Sequence, residues 1–433
     1  MFRLWMWSYS LLYSLWLLTY LPGVLYRSIR DRRLPSFLWP RFGRIPHDLQ
    51  PGPDEARPIW IHAVSVGEVQ SIRPLVAALD LSRGRTLISS TTQTGYQLAL
   101  DTLADKARIF YFPFDWKWIC RRYLCRLDPA LVVLTETEIW PSFLAAARSL
   151  KVPVILLNGR ISDRSFRGYG RIRFFVRTLL GQIDQLCMQS LQDKKRILEL
   201  GASSDRVRRT GNLKYDYILP EDNRKKALVQ RLGELMKSDP QDLVWICGST
   251  REEEEALLLP VLRTLWHEFP SLKAILAPRH PHRSDGVAAL LKQDAFRFVR
   301  RSQLDVENGS VPSFQVLLLD SIGELNYLYE LADVVFVGGS LVGWGGHNIL
   351  EVAHFGKPIL FGPHMANFRE ISETFLKAYA ALQVRSPEEL TLRIRDLLRD
   401  PSARRWLGLN ARKVLRDNRG AVHTAVQTIR AYL

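Results

Sequence analysis

Glu68 occupies a position where a carboxylate could act as a general base. The apolar residues 58–66 predict a buried strand, and Gly67 and Glu68 then open a helical pattern of apolar residues. A carboxylate at the end of a strand and the start of a helix can reach a bound hydroxyl, and the helix dipole would keep it ionised. We therefore predict that Glu68 deprotonates an alcohol, with Ser65 and Gly67 as supporting or acceptor-binding residues. The alternative is an ordinary glutamate in a first helical turn.

Two further acids follow another predicted strand. Glu136 and Glu138 are two residues apart, and in an extended segment their side chains would point to the same side. Such a pair near Glu68 could bind an acceptor or adjust the base, and Arg160, after the next predicted strand, is a further supporting candidate. A strand-end loop paired with nearby arginines is the alternative.

Two basic side chains are suited to a phosphate. Arg279 follows a predicted strand and lies between Pro278 and Pro281, so a rigid fork of donors is placed there. Lys214, in the loop 211–216, could reach the same phosphate from the other half of the chain. A surface arginine in a salt bridge and a solvated lysine are the alternatives.

The run 338–351 contains five glycines between a predicted strand and a helix predicted from Asn348. Glycines let the backbone approach a phosphate, and a helix start offers unpaired N–H groups and a partial positive charge. Asn348 and Glu351 are three residues apart, so on a helix they share one face and could bind a sugar or ribose. The alternative is a packed turn with a capping Asn and a solvated Glu.

These residues need a scaffold that brings strand ends together, and the apolar pattern predicts one. Strands and helices alternate in both halves of the 433-residue chain, which indicates an α/β fold of two Rossmann-like, doubly wound domains in tandem. Ligands of such sheets bind outside the carboxyl ends of the strands, so we expect the candidates to line a cleft that the two domains face.

We predict five segments along the chain. They are a membrane anchor with a basic linker at 1–34, a first Rossmann-like domain at 35–218, an interdomain linker at 219–242, a second Rossmann-like domain at 243–405, and a C-terminal helix at 406–433 that could cross back to the first domain.

The N-terminus predicts a membrane anchor. No charged residue occurs between Arg3 and Arg27, a length that can span a bilayer. Six arginines follow closely, so the positive-inside rule predicts that the body lies in the cytoplasm: Arg27, Arg30, Arg32, Arg33, Arg41 and Arg44. A helix that is buried or lies in the interface, and a cleaved signal peptide, are the alternatives.

Charge and composition restrict the partners. A net charge of +16 implies an anionic partner, and without a zinc finger or RNP-like stretch an anionic membrane surface is a better expectation than nucleic acid. The four cysteines form no CxxC pair or Cys/His cluster, and no Asp-x-Asp string occurs. We therefore expect no metal, no disulfide framework and no cofactor.

Five strings together resemble one known family, the 3-deoxy-D-manno-octulosonic acid (Kdo) transferases of Gram-negative lipopolysaccharide synthesis. The strings occur in the order Ser65-Val66-Gly67-Glu68, Glu136-Thr137-Glu138-Ile139-Trp140-Pro141, Gly211-Asn212-Leu213-Lys214-Tyr215-Asp216, Pro278-Arg279-His280-Pro281, and Gly338-Gly339-Ser340 through Gly345-Gly346-His347-Asn348. The resemblance covers nearly the whole chain. It implies a GT-B glycosyltransferase, inverting and metal-independent, with CMP-Kdo as donor and a lipid A precursor, lipid IVA, as acceptor.

The resemblance also implies roles for individual residues. Glu68 would accept the proton, and Glu138 and Lys214 would support the transition state. CMP would be bound by Pro278, Arg279, Ile322, Gly323, Glu324, Asn348, Ile349, Leu350 and Glu351. Tyr215 and Asn158-Gly159-Arg160 depart from the expected Phe and Asn-Ala-Arg.

Two other functions stay open at this point. The first is another nucleotide-sugar enzyme of the same architecture, a different glycosyltransferase or an epimerase, because fold does not fix function. The second is a membrane-tethered basic binding or scaffold protein. The number of Kdo units, the linkage and the acylation of the acceptor are not determined by the sequence.

Overall fold

The computed structural model describes residues 2–30, 34–52, 56–219, 221–237, 239, 241–304 and 313–433. These residues divide into two compact units, one formed by Met1–Asp216 with Asn418–Leu433 and the other by Tyr217–Asp417. Residues 31–33 of the predicted basic linker, and 220, 238 and 240 of the predicted interdomain linker, lie outside the described residues.

The first unit contains a parallel seven-stranded sheet in the order β3-β2-β1-β4-β5-β6-β7. Its strands are β1 (Ile59–His62), β2 (Thr86–Ser90), β3 (Arg108–Tyr111), β4 (Leu131–Thr135), β5 (Val154–Gly159), β6 (Gln185–Met188) and β7 (Val207–Arg209). Its helices are α1 (Phe2–Arg30), α2 (Leu34–Arg41), α3 (Val66–Leu79), α4 (Gln93–Leu103), α5 (Lys117–Leu127), α6 (Pro141–Ser149), α7 (Asp163–Arg171), α8 (Arg173–Leu180) and α9 (Leu191–Glu199).

The second unit contains another parallel seven-stranded sheet, in the order β10-β11-β9-β8-β12-β13-β14. Its strands are β8 (Val244–Thr250), β9 (Lys273–Pro278), β10 (Phe298–Arg300), β11 (Val316–Leu318), β12 (Val334–Val337), β13 (Ile359–Phe361) and β14 (Leu382–Gln383). Its helices are α10 (Asn223–Met236), α11 (Glu254–Glu268), α12 (Ser284–Gln293), α13 (Leu325–Leu328), α14 (Leu350–His354), α15 (Arg369–Lys377), α16 (Pro387–Arg399) and α17 (Pro401–Asp417), and α18 (Ala421–Arg430) returns to the first unit.

Helices cover both faces of the first sheet, as β1 illustrates. Ile59 and Ile61 belong to the apolar cluster that α3 and α18 share, whereas Trp60 packs into the opposite cluster with residues of α5 and α6. Successive side chains of a strand point to opposite faces, so a strand that is apolar throughout must be covered on both sides. This interior strand is therefore fixed from both faces, and its carboxyl end is a rigid point from which a site can be built.

Two of the predicted segment boundaries differ from the structure. The predicted linker 219–242 contains the 14-residue helix α10, whose Val229, Leu232 and Met236 are buried in the second unit. Its apolar stripe at helical spacing is masked in the sequence by intervening charges. The predicted boundary at 406 lies within α17, and the chain leaves the second unit only after Asp417.

Helix α1 is 29 residues long, and it carries the predicted anchor. Within the described part of the chain, no helix combines the length and the apolarity needed to cross a bilayer. Leu17 of α1 is buried against the first unit, and Trp5 stacks on Phe175 with ring centroids 5.8 Å apart. The membrane-spanning anchor is therefore not supported.

Gly408 in α17 offers a test of the packing in the second unit. A Cβ at this position would lie 1.9 Å from the carbonyl oxygen of Gly356, so Gly408→Ala should destabilise the protein by about 1–3 kcal/mol. Gly286 in α12 is the matched control, because a Cβ there meets nothing within 4 Å. Gly286→Ala should stabilise by about 0.5–1 kcal/mol through helix propensity. Urea unfolding measures both, and an unaffected Gly408→Ala midpoint would contradict the packing.

Candidate functional site

The Glu68 carboxylate is buried at the carboxyl end of β1, with the residue 6% exposed. Its Oε2 accepts hydrogen bonds from the Val64 amide at 3.0 Å and the Thr135 hydroxyl at 2.8 Å, and its Oε1 accepts from the Ser65 hydroxyl at 3.0 Å. A carboxylate has about four acceptor positions. Among the described residues these donors occupy at most three of the positions, since the Thr135 hydroxyl also lies 2.8 Å from the His62 carbonyl oxygen, and one position on Oε1 is left for a further hydroxyl.

Burial raises the pKa of Glu68 above its ordinary value, and the negative charge of Glu136 adds to the effect. The hydrogen bonds from Val64, Thr135 and Ser65 oppose the shift. Desolvation therefore opposes the effect expected of the helix dipole, and at this depth it outweighs the hydrogen-bond donors. A raised pKa brings a carboxylate closer to the range in which it is an effective base.

The sequence predicted that Glu136 and Glu138 point to the same side of an extended segment. The structure differs, because the segment is not extended at Glu136. β4 ends at Thr135, and Glu136 has a φ of +54°, so the backbone turns at this point. The acids are nevertheless electrostatically coupled. Burial raises the pKa of Glu138 to about 8, with further contributions from the charges of Glu68 and Glu136.

Lys214 lies beside these acids, and its Nζ is 3.3 Å from Oε1 of Glu136. Its backbone is set by three carboxamides. Asn212 accepts from the Lys214 amide and donates to Gln189, Gln189 donates to the Asn158 carbonyl, and the Asn158 side chain accepts from the Leu213 amide. The lysine is therefore presented to the acid cluster by a closed ring of hydrogen bonds.

The remaining first-unit candidates take part through their backbone or their small size. Arg160 accepts a hydrogen bond from the Thr137 hydroxyl through its main-chain carbonyl, which ties β5 to the turn after β4. A Cβ added at Gly67 would meet nothing closer than 3.9 Å, the nearest atom being the Ser65 hydroxyl oxygen.

In the second unit, an internal carboxylate occupies the start of the glycine loop. Glu254 is 0% exposed, and its two oxygens accept from the amides of Gly339, Ser340, Leu341 and Arg251 at 2.6, 2.9, 2.9 and 3.0 Å. All four acceptor positions are used. The amides of residues 339–341 are therefore already paired with a carboxylate of the protein itself and are not available to a phosphate.

Arg279 is the residue of the second unit best placed for a ligand anion. Its amide donates to the Thr250 carbonyl at 2.9 Å, and its side chain is exposed, with no hydrogen bond or ion pair to any described residue. The Arg279 charge lowers the pKa values of Arg251 and His347, for which burial is the larger cause. The pKa of His347 falls to about 3, so this imidazole is neutral at pH 7.

Arg251 is a candidate that the sequence did not reveal. Its guanidinium lies 2.9 Å from His280 Nε2 and 3.3 Å from His347 Nε2, and it is 5.1 Å from the centroid of the Trp344 ring. Nothing in its neighbours distinguishes it in sequence, since it precedes four consecutive glutamates. With Arg279 it forms a cationic centre that suits a phosphate.

Asn348 and Glu351 are together, as predicted, but they bond to each other. The Asn348 amide donates to Glu351 Oε1 at 3.1 Å and its oxygen accepts from the Leu350 amide. Burial raises the pKa of Glu351 to about 7, although Asn348 and Arg279 oppose the shift. Ile349 and Leu350 are 0% exposed, backbone included, so neither residue presents a surface to a ligand in this structure. The helix here is α14, which begins at Leu350 and has only five residues.

The loop 322–324 is exposed at one end and held by an ion pair at the other. Ile322 is 83% exposed and Gly323 has a φ of +78°, a conformation that favours glycine. The Glu324 carboxylate, however, pairs with Arg301 at 3.0 Å.

Pro278 is buried at the end of β9 and orients Arg279 without contacting solvent. Within the described residues, no group of three or more His, Cys, Asp or Glu side chains is arranged to hold a metal ion.

Two comparisons concern sequence. A family model described as "3-Deoxy-D-manno-octulosonic-acid transferase (kdotransferase)" matches residues 37–217. A 3-deoxy-D-manno-octulosonic acid transferase of Haemophilus influenzae is 34% identical over 94% of this chain and 93% of its own. The enzyme of the same name from Bordetella pertussis is 34% identical over 87% of this chain and 88% of its own.

One comparison concerns the fold. The solved structure of UDP-GlcNAc 2-epimerase from Neisseria meningitidis, bound to UDP-GlcNAc, covers 86% of this chain and 99% of its own with a TM-score of 0.58. At 14% sequence identity the likeness shows the fold alone. Two parallel, doubly wound sheets therefore form a GT-B-like α/β fold, as the sequence predicted.

The pKa of Glu138 predicts a pH-dependent stability. A carboxyl with a folded-state pKa of about 8 binds its proton more tightly than in the unfolded chain, so its contribution is present below pH 4.5 and is lost as pH rises through about 8. Glu138→Gln should therefore melt higher than wild type at pH 9, and the difference should vanish near pH 4.5. Glu199→Gln, on the exposed side of α9, is the control. A difference that is constant with pH would contradict the shift.

The Glu254 carboxylate predicts a structural role at the glycine loop. Glu254→Gln replaces one of two acceptor oxygens with a donor that faces backbone amides, so we expect a loss of at least about 3 kcal/mol of stability. Glu252→Gln, two residues away and exposed, should change stability by less than about 0.5 kcal/mol. If the two variants unfold at the same urea concentration, the carboxylate does not hold the loop.

Proposed function

Because the chain belongs to the 3-deoxy-D-manno-octulosonic acid (Kdo) transferase family, we propose that it moves Kdo from CMP-Kdo to the lipid A precursor lipid IVA. The observation that carries the proposal is the Glu68 carboxylate, which has three internal donors and one remaining acceptor position on Oε1. Such a group can accept one proton from one positioned hydroxyl.

The proposed reaction is a direct displacement. Glu68 takes the proton of an acceptor hydroxyl while the hydroxyl oxygen bonds to the anomeric carbon of Kdo. The bond from that carbon to the phosphate oxygen breaks, and CMP leaves with the bonding electron pair. Attack from the face opposite CMP inverts the anomeric configuration. No metal step is required by this scheme, because basic side chains offset the charge of the phosphate.

Two first-unit residues support the base in this proposal. With a pKa of about 8, Glu138 is mainly protonated at pH 7, so it can donate a hydrogen bond and adds little negative charge beside Glu68. Lys214 partly neutralises Glu136 and places a cation near the reacting groups. Both effects reduce the net negative charge around Glu68, so that the acceptor hydroxyl can approach and lose its proton there.

The second unit would bind the donor. Arg279, whose side chain has no partner within the described part of the chain, is assigned to the CMP phosphate, and Arg251 contributes further positive charge. Asn348 and Glu351 are assigned to the CMP moiety together with the loop 322–324, and the buried Ile349 and Leu350 fix the turn that carries them. Glu351, with a pKa near 7, can donate as well as accept a hydrogen bond.

The acceptor is a lipid, and we propose that the protein works at the cytoplasmic surface of the inner membrane. Support comes from the net charge of +16, which suits an anionic leaflet. A further support is the row of exposed apolar side chains on α1, among them Trp7 at 78%, Leu12 at 66% and Leu18 at 64%. A helix with such a face can lie in the membrane interface.

The direct test is an assay of purified full-length protein with CMP-Kdo and tetra-acylated lipid IVA. Mass spectrometry of the lipid product should show the mass of the acceptor plus one or more Kdo residues, and the number of units follows from the same spectrum. Release of CMP without a heavier lipid, or no turnover, would overturn the proposed donor and acceptor pair.

The base assignment predicts a large effect of Glu68→Gln. General bases contribute about 10²- to 10⁴-fold to rates, so we expect kcat to fall at least about a hundredfold. CMP binding should stay within about twofold of wild type, since Glu68 lies in the first unit. Single-turnover kinetics and CMP titration measure the two effects. Activity within about tenfold of wild type, roughly 1.4 kcal/mol of barrier, would remove Glu68 from this role.

The donor assignment predicts a selective effect of Arg279→Ala. Loss of a charge-assisted bond to phosphate should weaken CMP binding about tenfold or more, by about 1.5–3 kcal/mol. Arg405→Ala, an exposed arginine on α17, is the control and should bind CMP like wild type. Thermal shifts with CMP and UDP report both affinity and base selectivity. An unchanged CMP response in Arg279→Ala, or stabilisation by UDP alone, would contradict the assignment.

A further inference from the structure

Asp115 is a buried carboxylate that connects the N-terminal helix α1 with the start of α6, the helix that follows Glu138. It is 0% exposed and lies between β3 and α5. Its Oδ2 accepts from the Tyr9 hydroxyl of α1 at 2.8 Å and from the Ser142 amide at 3.0 Å, and its Oδ1 accepts from the Phe143 amide at 2.7 Å. One side chain thus bonds to two elements that are far apart in sequence.

The contact with α6 fixes where that helix begins. Ser142 and Phe143 lie in the first turn of α6, where backbone amides have no partner within the helix. Trp140, the N-cap residue of α6, offers no side-chain cap, so the Asp115 carboxylate does that work from another segment. The charge also suits the positive end of the helix dipole.

The start of α6 in turn determines the position of Glu138. Only Ile139 and Trp140 separate Glu138 from Pro141, the first residue of α6. Trp140 packs on Phe112 with ring centroids 5.6 Å apart, and Phe112 packs on Phe143 at 5.1 Å. A change in the first turn of α6 would therefore be transmitted over a short, well-packed segment.

Helix α1 contacts the same place through two further polar bonds. The Asp115 amide donates to the Tyr13 hydroxyl at 3.2 Å, and the Trp116 indole donates to the Ser14 hydroxyl at 2.9 Å. An apolar helix that only needed burial would not place three hydroxyls at this position. These three hydroxyls of α1, on Tyr9, Tyr13 and Ser14, all bond to residues 115 and 116.

We propose that Asp115 is a positioning residue for Kdo transfer. Tyr9, a residue of α1, bonds to Asp115, and Asp115 in turn fixes the start of α6 and with it the position of Glu138 beside Glu68. This inference rests on the proposed function of the acid cluster. It gives α1 a role within the enzyme that is separate from any contact with lipid: without the Tyr9 bond, the first turn of α6 loses part of its anchor and Glu138 is placed less accurately.

Tyr9→Phe in the full-length protein tests the proposal, because it removes one hydroxyl and leaves the ring. We expect kcat for Kdo transfer to fall about tenfold while KM for CMP-Kdo stays within about twofold, since the donor is assigned to the second unit. A rise in KM with unchanged kcat, or no change in either, would overturn the proposal. If the wild-type protein transfers no Kdo, the proposed function is wrong, and the inference that rests on it is wrong as well.

Two further variants separate positioning from loss of structure. Tyr13→Phe removes a hydroxyl from the same contact without touching the Asp115 carboxylate, and it should lower kcat less than about threefold. Equal losses in Tyr9→Phe and Tyr13→Phe would show that helix docking as a whole matters, which overturns the role of the carboxylate.

A double-mutant cycle with Glu138 completes the test. In a Glu138→Gln background, Tyr9→Phe should lower kcat by less than about twofold more, because the residue through which it acts has already been altered. A further tenfold loss would show that the two act independently and would overturn the proposed path. Melting temperatures of all variants, measured in parallel, ensure that rates refer to folded protein.

Discussion

A carboxylate buried at the end of an interior strand, β1, is the constraint on which the first unit depends. Glu68 bonds to the end of β1 through Val64, to the start of α3 through Ser65 and to the end of β4 through Thr135. Removal from water is costly for a charge, so these donors must be in place for the carboxylate to ionise at all. The same bonds that stabilise the charge also orient the one oxygen left for a substrate.

The second unit uses the same arrangement for a different purpose. Glu254 also follows an interior strand, β8, begins the next helix, and bonds to the end of the neighbouring strand, β12, through residues 339–341. Its four acceptor positions are all taken by amides, whereas Glu68 keeps one. That single difference separates a structural carboxylate from one that can do chemistry, and it leaves the binding of anions in the second unit to Arg279 and Arg251.

The sequence predicted the two sheets well where strands are buried and poorly where they are not. The strands it missed are β7, β10 and β14, each of two or three residues at the edge of a sheet, where no continuous apolar run is required. Candidate residues such as Glu68, Glu136 and Arg279 were recognised because they follow predicted strands. Glu254 was not, because it is one of four consecutive glutamates and only packing determines which of them is buried.

The acid limb of the kcat/KM profile for Kdo transfer tests the central claim most directly, because it reports the ionisation of the essential base in the free enzyme. If the buried Glu68 is that base, the apparent pKa lies above 4.5, the ordinary value of a glutamate, since desolvation and the Glu136 charge both raise it. An apparent pKa at or below 4.5, in a protein that transfers Kdo, would contradict the account.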